Sequence, residues 1–194
     1  MRAPDRQTIA GPVRRLVRVS MAWLIAAAVL YSLFLAALWW GQERLIFLPE
    51  RLSVDHRFNF GGDVRERTID VPGATLHALH LQLKAPRGVV FYLHGNAGNL
   101  QSWFSDLEFW RHANYDLLMI DYRGYGKSSG RIDSEAQLHT DMWAAWQAVA
   151  PEYARGRRVL LGRSLGSGLA AQLALRAKPD LTILVSPYAS MRAL

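Results

Sequence analysis

A serine between two glycines offers the clearest chemistry in this sequence. Gly162, Ser164 and Gly166 form the pattern Gly-x-Ser-x-Gly. The pattern alone recurs by chance, but here an apolar strand-like run precedes it and a helix-like run follows it, as a nucleophile on a sharp bend requires. Glycines remove side chains that would collide at such a bend, and the helix dipole favours developing negative charge. The sequence therefore predicts Ser164 as a nucleophile at the carboxyl end of a sheet.

A second candidate element is the run HGNAGN, residues 94–99, which directly follows an apolar run. Attack on a carbonyl needs two backbone N–H groups aimed at the oxyanion that forms. One comes from the residue after the nucleophile, here Leu165, and the other from the loop after the third strand. Asn96 is the predicted second donor. We expect His94 to hold this loop by hydrogen bonds, since it precedes the nucleophile and closes a strand.

The elements that would position these residues alternate between strands and helices. Pro72-Gly73 separates two strand-like runs and predicts a hairpin. Ser134 and Gln137 form a candidate capping box for a following helix. Predicted strands are 64–71, 75–83, 88–93, 117–120, 158–161 and 181–185, and predicted helices contain Trp103, Leu107 and Trp110, then Leu138, Met142, Ala145 and Val149, then 165–177. This order predicts an α/β domain with a mostly parallel central sheet and flanking helices.

The run Met21–Trp40 contains no charged residue. At about 1.5 Å per residue it covers roughly 30 Å, the hydrocarbon thickness of a bilayer. It is apolar on every face, which argues against a helix packed on one side of a core. It ends in Leu-Trp-Trp-Gly-Gln-Glu, a poor signal-peptidase site, so we expect an uncleaved anchor. Trp39 and Trp40 suit the headgroup boundary.

The formal net charge of +7 is concentrated before that run. The cluster consists of Arg2, Arg6, Arg14, Arg15 and Arg18 against Asp5. Because positive charge stays on the cytoplasmic side, we expect a cytoplasmic N-terminus at 1–20, an anchor at 21–40, a connector at 41–60 and an external domain at 61–194. In a bacterium the domain would be periplasmic. The remaining sequence has no basic run, which argues against nucleic-acid binding. The chain has no cysteine, which excludes disulfides and thiolate metal sites.

Four strings carry a family resemblance: HGNAGN, DYRGYGKSSG, GRSLGSG and SPYASMRAL. They resemble the α/β-hydrolases with one N-terminal anchor, a group related to serine aminopeptidase-like hydrolases. The resemblance implies a Ser-Asp-His triad that cleaves esters, thioesters or amides through an acyl-serine, without a cofactor. It implies Ser164 as nucleophile with Asn96 and Leu165 as oxyanion donors. It also implies a structural role for Asp121–Gly130 beside the active site.

The sequence departs from this pattern after Ser164. No histidine follows, and the only acidic residue, Asp180, precedes the last strand at the wrong end of the sheet for catalysis. The expected fold is therefore a partial α/β-hydrolase fold behind one transmembrane helix, from a truncated form of a longer hydrolase that is inactive by itself. Its substrate would be a small-molecule or lipid-like acyl compound. The alternative is a non-catalytic membrane-associated scaffold.

Two other classes of site are disfavoured. The run GYGKS at 124–128 resembles part of a phosphate loop, but Asp121 stands where that loop needs a glycine. His77 and His80 lie three residues apart on a predicted strand, so they point to opposite faces and share a metal ion poorly. We expect one of these histidines to be exposed and the other buried.

Overall fold

The computed structural model describes residues 7–188, with side chains described from residue 14 except at 42–46. The chain divides into two compact units, with the boundary between Leu45 and Ile46. The first unit contains most of one long helix, and the second contains a sheet with helices on both faces.

Helix α1 runs over 40 residues, Gln7–Ile46, and extends beyond the predicted span at both ends. Its stretch Arg14–Gly41 is long and apolar enough to cross a membrane. None of the apolar window is buried within the structure, and large side chains such as Trp23 and Leu30 are exposed. The helix thus presents an apolar surface all round, as a membrane-spanning helix does.

Six strands form one sheet in the order β1-β2-β4-β3-β5-β6. Strands β1 and β2 form the predicted hairpin, and β2 pairs antiparallel with β4. The pairs β3–β4, β3–β5 and β5–β6 are parallel. The strand bounds are Val64–Val71, Ala74–Leu81, Gly88–Leu93, Asp116–Ile120, Arg157–Arg163 and Leu181–Val185. The predicted α/β architecture is confirmed.

Helices cover both faces of the sheet. They are α2 (Leu100–Trp103), α3 (Leu107–Ala113), α4 (Glu135–Val149), a short 3-10 helix (Ala150–Tyr153) and α5 (Leu165–Ala177). Trp103, Leu107 and Trp110 were predicted on one helix, but the helix is broken at Asp106, which takes a left-handed φ of 55°. At the start of α4, Ser134 Oγ accepts from the Gln137 amide at 3.2 Å. The Gln137 side chain bonds the Asp133 amide, not that of Ser134, so the capping box is only half formed.

Two apolar cores lie on opposite faces of the sheet. Leu138, Met142, Ala145 and Val149 of α4 are all buried in the larger core, as their helical spacing predicted. The smaller core packs the opposite face of the sheet against α2 and α3. Strand β6 lies at one edge of the sheet, opposite β1, and its apolar side chains are partly exposed, Leu181 by 52%.

His77 and His80 lie on opposite faces of β2, but the expectation that one is exposed is wrong. Both are buried. Phe58, from the predicted connector, stacks on the His77 ring at 5.6 Å. On the other face Tyr153 bonds His80 Nε2 at 2.8 Å. Phe58 and Tyr153 are both distant from β2 in sequence. The alternation of side chains along β2 therefore does not predict that they cover its histidines.

Candidate active site

Ser164 lies at the bend between β5 and α5, with φ 51° and ψ −119°. Residues with a Cβ avoid this region because the Cβ crowds the backbone. The Ser164 amide donates to the Val185 carbonyl at 2.9 Å, and the Ser164 carbonyl accepts from the amide and hydroxyl of Ser167. These bonds hold the strained bend in place. The residue itself is exposed, so its hydroxyl can be reached by a substrate.

Close backbone packing explains the glycines around the bend. A Cβ on Gly162 would lie 2.3 Å from the Gly166 carbonyl oxygen. A Cβ on Gly166 would lie 2.0 Å from the Leu93 carbonyl oxygen, so the first turn of α5 packs directly on the end of β3. A Cβ on Gly95 would lie 3.4 Å from the Ser164 Cβ. The bend and the turn after His94 are therefore in contact.

The predicted oxyanion residues flank this contact. Asn96 follows Gly95, and Leu165 begins α5 directly after Ser164. The turn that Asn96 begins is strained at Ala97, which has a φ of 66°, whereas Gly98 adopts its φ of 77° without strain. Trp103 Nε1 donates to the Ala97 carbonyl at 2.8 Å and supports the turn from below. The structure thus brings Ser164, Asn96 and Leu165 to one end of the sheet.

His94 is fully buried, and its ring stacks on that of Trp103 at 5.8 Å. Its Nδ1 lies 2.7 Å from the Gly95 carbonyl, and its own carbonyl accepts from the Tyr122 hydroxyl at 2.7 Å. Burial lowers the pKa of His94 to about 4, partly offset by the carbonyls of Gly95 and Ile120. His94 is therefore neutral at pH 7, and the expectation that it holds the loop by hydrogen bonds is confirmed.

The loop Asp121–Gly130 supports the same region from the next strand. Asp121 Oδ1 accepts from the Leu100 amide at 3.0 Å, which ties the loop to the start of α2. Arg123 forms a buried pair with Asp141 of α4, with N–O distances of 2.5 and 2.8 Å. Ser128 Oγ donates to the Asp121 carbonyl at 2.7 Å. These contacts agree with the structural role that the resemblance implied.

Asp180 lies at the opposite end of the sheet from Ser164. Its amide and carboxylate both bond the backbone of Arg158, at the start of β5, whereas Ser164 follows the end of β5. Asp180 is thus excluded as a partner of Ser164, as predicted. Among the described residues, no three His, Asp or Glu side chains are grouped as a metal site would require.

A cleft of about 870 Å³ opens beside the turn. Its walls include Trp103, Phe109 and Leu161, and the Arg163 guanidinium lies 5.6 Å from the centre of the Trp103 ring. The cleft offers apolar surface next to the bend. Trp103 therefore both lines the cleft and supports the turn through its Nε1.

Comparison with known proteins agrees with this arrangement. Residues 84–194 match the family described as "Serine aminopeptidase, S33", so the chain belongs to this α/β-hydrolase family. An uncharacterised protein of Mycobacterium tuberculosis is 31% identical over 92% of this chain and 63% of its own length. Alpha/beta hydrolase domain-containing protein 17C of mouse is 36% identical over 54% of this chain and 33% of its own length.

A solved structure of similar fold is an α/β serine hydrolase without lid from Xanthomonas campestris. It superposes with a TM-score of 0.57 at 17% identity, over 70% of this chain and 66% of the other. At that identity the likeness shows the fold alone. The chain spans less than two thirds of the length of the curated relatives above.

Two contacts of the site were not foreseen from the sequence. The Asn96 side chain accepts hydrogen bonds from the Tyr125 hydroxyl and from the Leu48 amide. Tyr125 lies within the string DYRGYGKSSG, but nothing in the spacing indicates that it reaches Asn96. Leu48 lies in the predicted connector, which was given no part in the site.

Proposed function

We propose that this protein is a serine hydrolase that cleaves carboxylic ester, thioester or amide bonds through an acyl-serine intermediate. The observation that carries the proposal is the strained backbone of Ser164, which presents an exposed hydroxyl against the turn at Gly95. A backbone this unfavourable persists where the surrounding structure enforces it, and such positions cluster at active sites. Membership of a hydrolase family supports the same conclusion.

In the proposed reaction, Ser164 Oγ attacks the carbonyl carbon of the substrate and loses its proton to a base. The backbone N–H groups of Asn96 and Leu165 stabilise the oxyanion that forms. Collapse of this tetrahedral intermediate expels the alcohol, thiol or amine and leaves an acyl ester on Ser164. Water then releases the acid. The positive end of the α5 dipole, which begins at Leu165, lowers the energy of the negative charge in both steps.

We propose that residues 1–194 lack the base that this mechanism requires. No histidine follows Ser164, and Asp180 is at the far end of the sheet. In the described part of the chain no side chain bonds the Ser164 hydroxyl. Loss of triad members costs on the order of a millionfold in turnover in a protease with the same chemistry. We therefore propose that these residues by themselves react very slowly.

Helix α1 supports a membrane location for this chemistry. We propose that it anchors the protein with residues 1–20 in the cytoplasm and the hydrolase unit outside, since the arginine cluster precedes the apolar run. Attachment to a bilayer raises the local concentration of lipid-like esters. The proposed substrate is accordingly a small-molecule or lipid-like acyl compound.

Covalent labelling tests the nucleophile without requiring turnover. The full chain in detergent micelles is incubated with a fluorophosphonate, with and without added imidazole as a substitute base. Trypsin cleaves after Arg163, so an adduct on Ser164 appears on the peptide Ser164–Arg176. We expect the rate of labelling to rise with imidazole concentration and the adduct to be absent in Ser164→Ala.

Two outcomes would contradict the proposal. An adduct of equal yield in Ser164→Ala would assign the reactivity to another residue. No adduct at any imidazole concentration would favour the non-catalytic scaffold. Rapid labelling without imidazole would instead overturn the claim that residues 1–194 lack an effective base.

A further inference from the structure

The segment Phe47–Leu52, which follows α1, packs along the turn that contains Asn96. Phe47 is buried in the larger core. The Leu48 amide donates to Asn96 Oδ1 at 3.2 Å, and Pro49 forms a bridge with Gly98. The chain leaving the helix therefore reaches the proposed oxyanion donor directly.

Tyr125 reaches the same oxygen atom from the other side. Its hydroxyl donates to Asn96 Oδ1 at 2.6 Å, and the residue is fully buried. Burial raises the pKa of Tyr125, so the phenol keeps its proton and acts as a donor at neutral pH. The Asn96 side-chain oxygen thus accepts two hydrogen bonds from elements far apart in the sequence.

Backbone bonds fix this segment between two turns. The Glu50 carbonyl accepts from the Asn99 side chain at 3.2 Å and from the Gly126 amide at 2.9 Å. The Leu52 amide donates to the Gly126 carbonyl at 2.9 Å. One short stretch of chain therefore ties the turn at 96–99 to the loop that carries Tyr125.

We propose that Tyr125 and the Leu48 amide are positioning groups that hold Asn96 so that its backbone N–H faces the oxyanion. The inference deepens the proposed function and rests on it. The physical basis of the inference is the strain of the turn. Ala97 takes a left-handed φ of 66°, which an unconstrained alanine avoids. Two hydrogen bonds to the preceding side chain oppose relaxation of that strain. The segment after the helix thereby becomes part of the active site.

Two pairs of variants separate positioning from general stability. Tyr125→Phe removes one donor, and Tyr153→Phe is its control, because it removes a buried hydroxyl that bonds Asp116 away from the site. Leu48→Pro removes the other donor, and Leu48→Ala keeps the amide while shortening an exposed side chain. Leu48 precedes Pro49, which already restricts it to extended conformations that proline also adopts.

Hydrogen–deuterium exchange of the full chain in micelles, read by mass spectrometry, measures the turn itself. We expect amides of residues 94–99 to exchange about five- to tenfold faster in Tyr125→Phe and Leu48→Pro, the effect of losing one buried hydrogen bond. Amides of β2 should be unchanged, and neither control should affect 94–99. Unchanged exchange at 94–99, or an equal increase in β2, would overturn the inference.

Imidazole-assisted labelling of Ser164 supplies the functional readout. If the inference holds, labelling slows in Tyr125→Phe and Leu48→Pro but not in Leu48→Ala. Faster exchange at 94–99 with unchanged labelling would show that the two donors order the turn without serving catalysis, and would overturn the positioning role. If wild-type protein is never labelled, the proposed function fails, while the exchange experiment still decides whether the donors hold the turn.

Discussion

Two buried histidines mark two different regions of this molecule. His80 and His94 are both inaccessible to solvent, and burial lowers the pKa of each to about 4. Each ring lies near a buried aspartate, Asp116 for His80 and Asp121 for His94. Because both rings are neutral at pH 7, neither contact is an ion pair. The two regions differ in how completely their polar atoms are paired.

Around His80 the hydrogen bonds form a closed chain. An Arg67 guanidinium nitrogen lies 3.3 Å from His80 Nδ1. Because arginine can only donate, His80 Nδ1 is the acceptor, and the ring proton is on Nε2. Nε2 then donates to the Tyr153 oxygen at 2.8 Å, and the Tyr153 hydroxyl donates to Asp116 at 2.5 Å. Every member has a partner, which is what a structural network requires.

Around His94 the pairing is incomplete. Its Nε2 lies 3.6 Å from Asp121 Oδ1, too far for a hydrogen bond. Neither His94 Nε2 nor Asp121 Oδ2 has a hydrogen-bond partner among the described residues. Unpaired buried polar atoms cost free energy and are uncommon in folded proteins. The molecule thus tolerates this cost directly behind the turn proposed to hold the oxyanion, whereas the polar atoms that link His80, Tyr153 and Asp116 are all paired.

The largest effect should come from Gly166, which packs α5 onto the end of β3 beside His94. Gly166→Ala would place a Cβ 2.0 Å from the Leu93 carbonyl oxygen, and backbone atoms cannot move aside cheaply. We expect the free energy of unfolding to fall by about 3 kcal/mol or more. Denaturation followed by near-UV circular dichroism measures the loss. Gly62→Ala is the control, since a Cβ there meets no atom within 4 Å. A loss below about 1 kcal/mol would show that α5 and β3 are not tightly packed at Gly166.

A smaller effect distinguishes the two histidine regions directly. Tyr153→Phe removes the central hydroxyl of the closed chain, so His80 Nε2 and Asp116 Oδ2 each lose the hydrogen bond to Tyr153. Tyr122→Phe removes one hydroxyl that bonds only the His94 carbonyl in the described part of the chain. We expect losses of about 2–3 and about 1 kcal/mol, respectively, by the same denaturation assay. The reverse order would mean that the His80 network is not the more tightly coupled of the two.

The region around His94 should also make the free energy of unfolding depend on pH. Burial raises the pKa of Asp121 to about 8, only partly offset by the Leu100 amide. A raised carboxyl pKa means that the folded state holds a proton that the unfolded state has lost. The contribution of the Asp121 carboxyl to stability is therefore full below about pH 4 and is lost as the pH rises toward 8.

Asp121→Asn should remove this loss, so that stability falls less between pH 4 and pH 8 than in the wild type. Thermal denaturation across that range measures the difference. Asp55→Asn, at an exposed carboxyl, should leave the profile unchanged. If Asp121→Asn keeps the wild-type profile, Asp121 is ionised in the folded state and His94 has a charged neighbour.

Much of the architecture could be predicted because its signals are local. A continuous apolar run identified β3, and the bounds of β6 and α5 agree with the prediction to the residue. The glycine pattern predicted a bend at Ser164, which the structure shows with a positive φ. These features depend on the chain within a few residues of each position.

Other features could not be predicted because they depend on contacts between distant residues. The sequence identified 41–60 only as a connector, yet Phe58 covers His77 and the Leu48 amide bonds Asn96. Tyr125 meets Asn96 across 29 positions of sequence. Hydrophobic periodicity carries no information about such pairs, so the support of the proposed oxyanion turn appears only in three dimensions.

The central claim is that Ser164 is held in a backbone conformation that its own side chain disfavours. The most direct test compares the unfolding free energies of Ser164→Gly and Ser164→Ala in the full chain. Glycine adopts φ 51° and ψ −119° without strain, so Ser164→Gly should be more stable than Ser164→Ala by about 1–2 kcal/mol. If Ser164→Ala is instead the more stable, as at an ordinary helix start, the bend is unstrained and the account is contradicted.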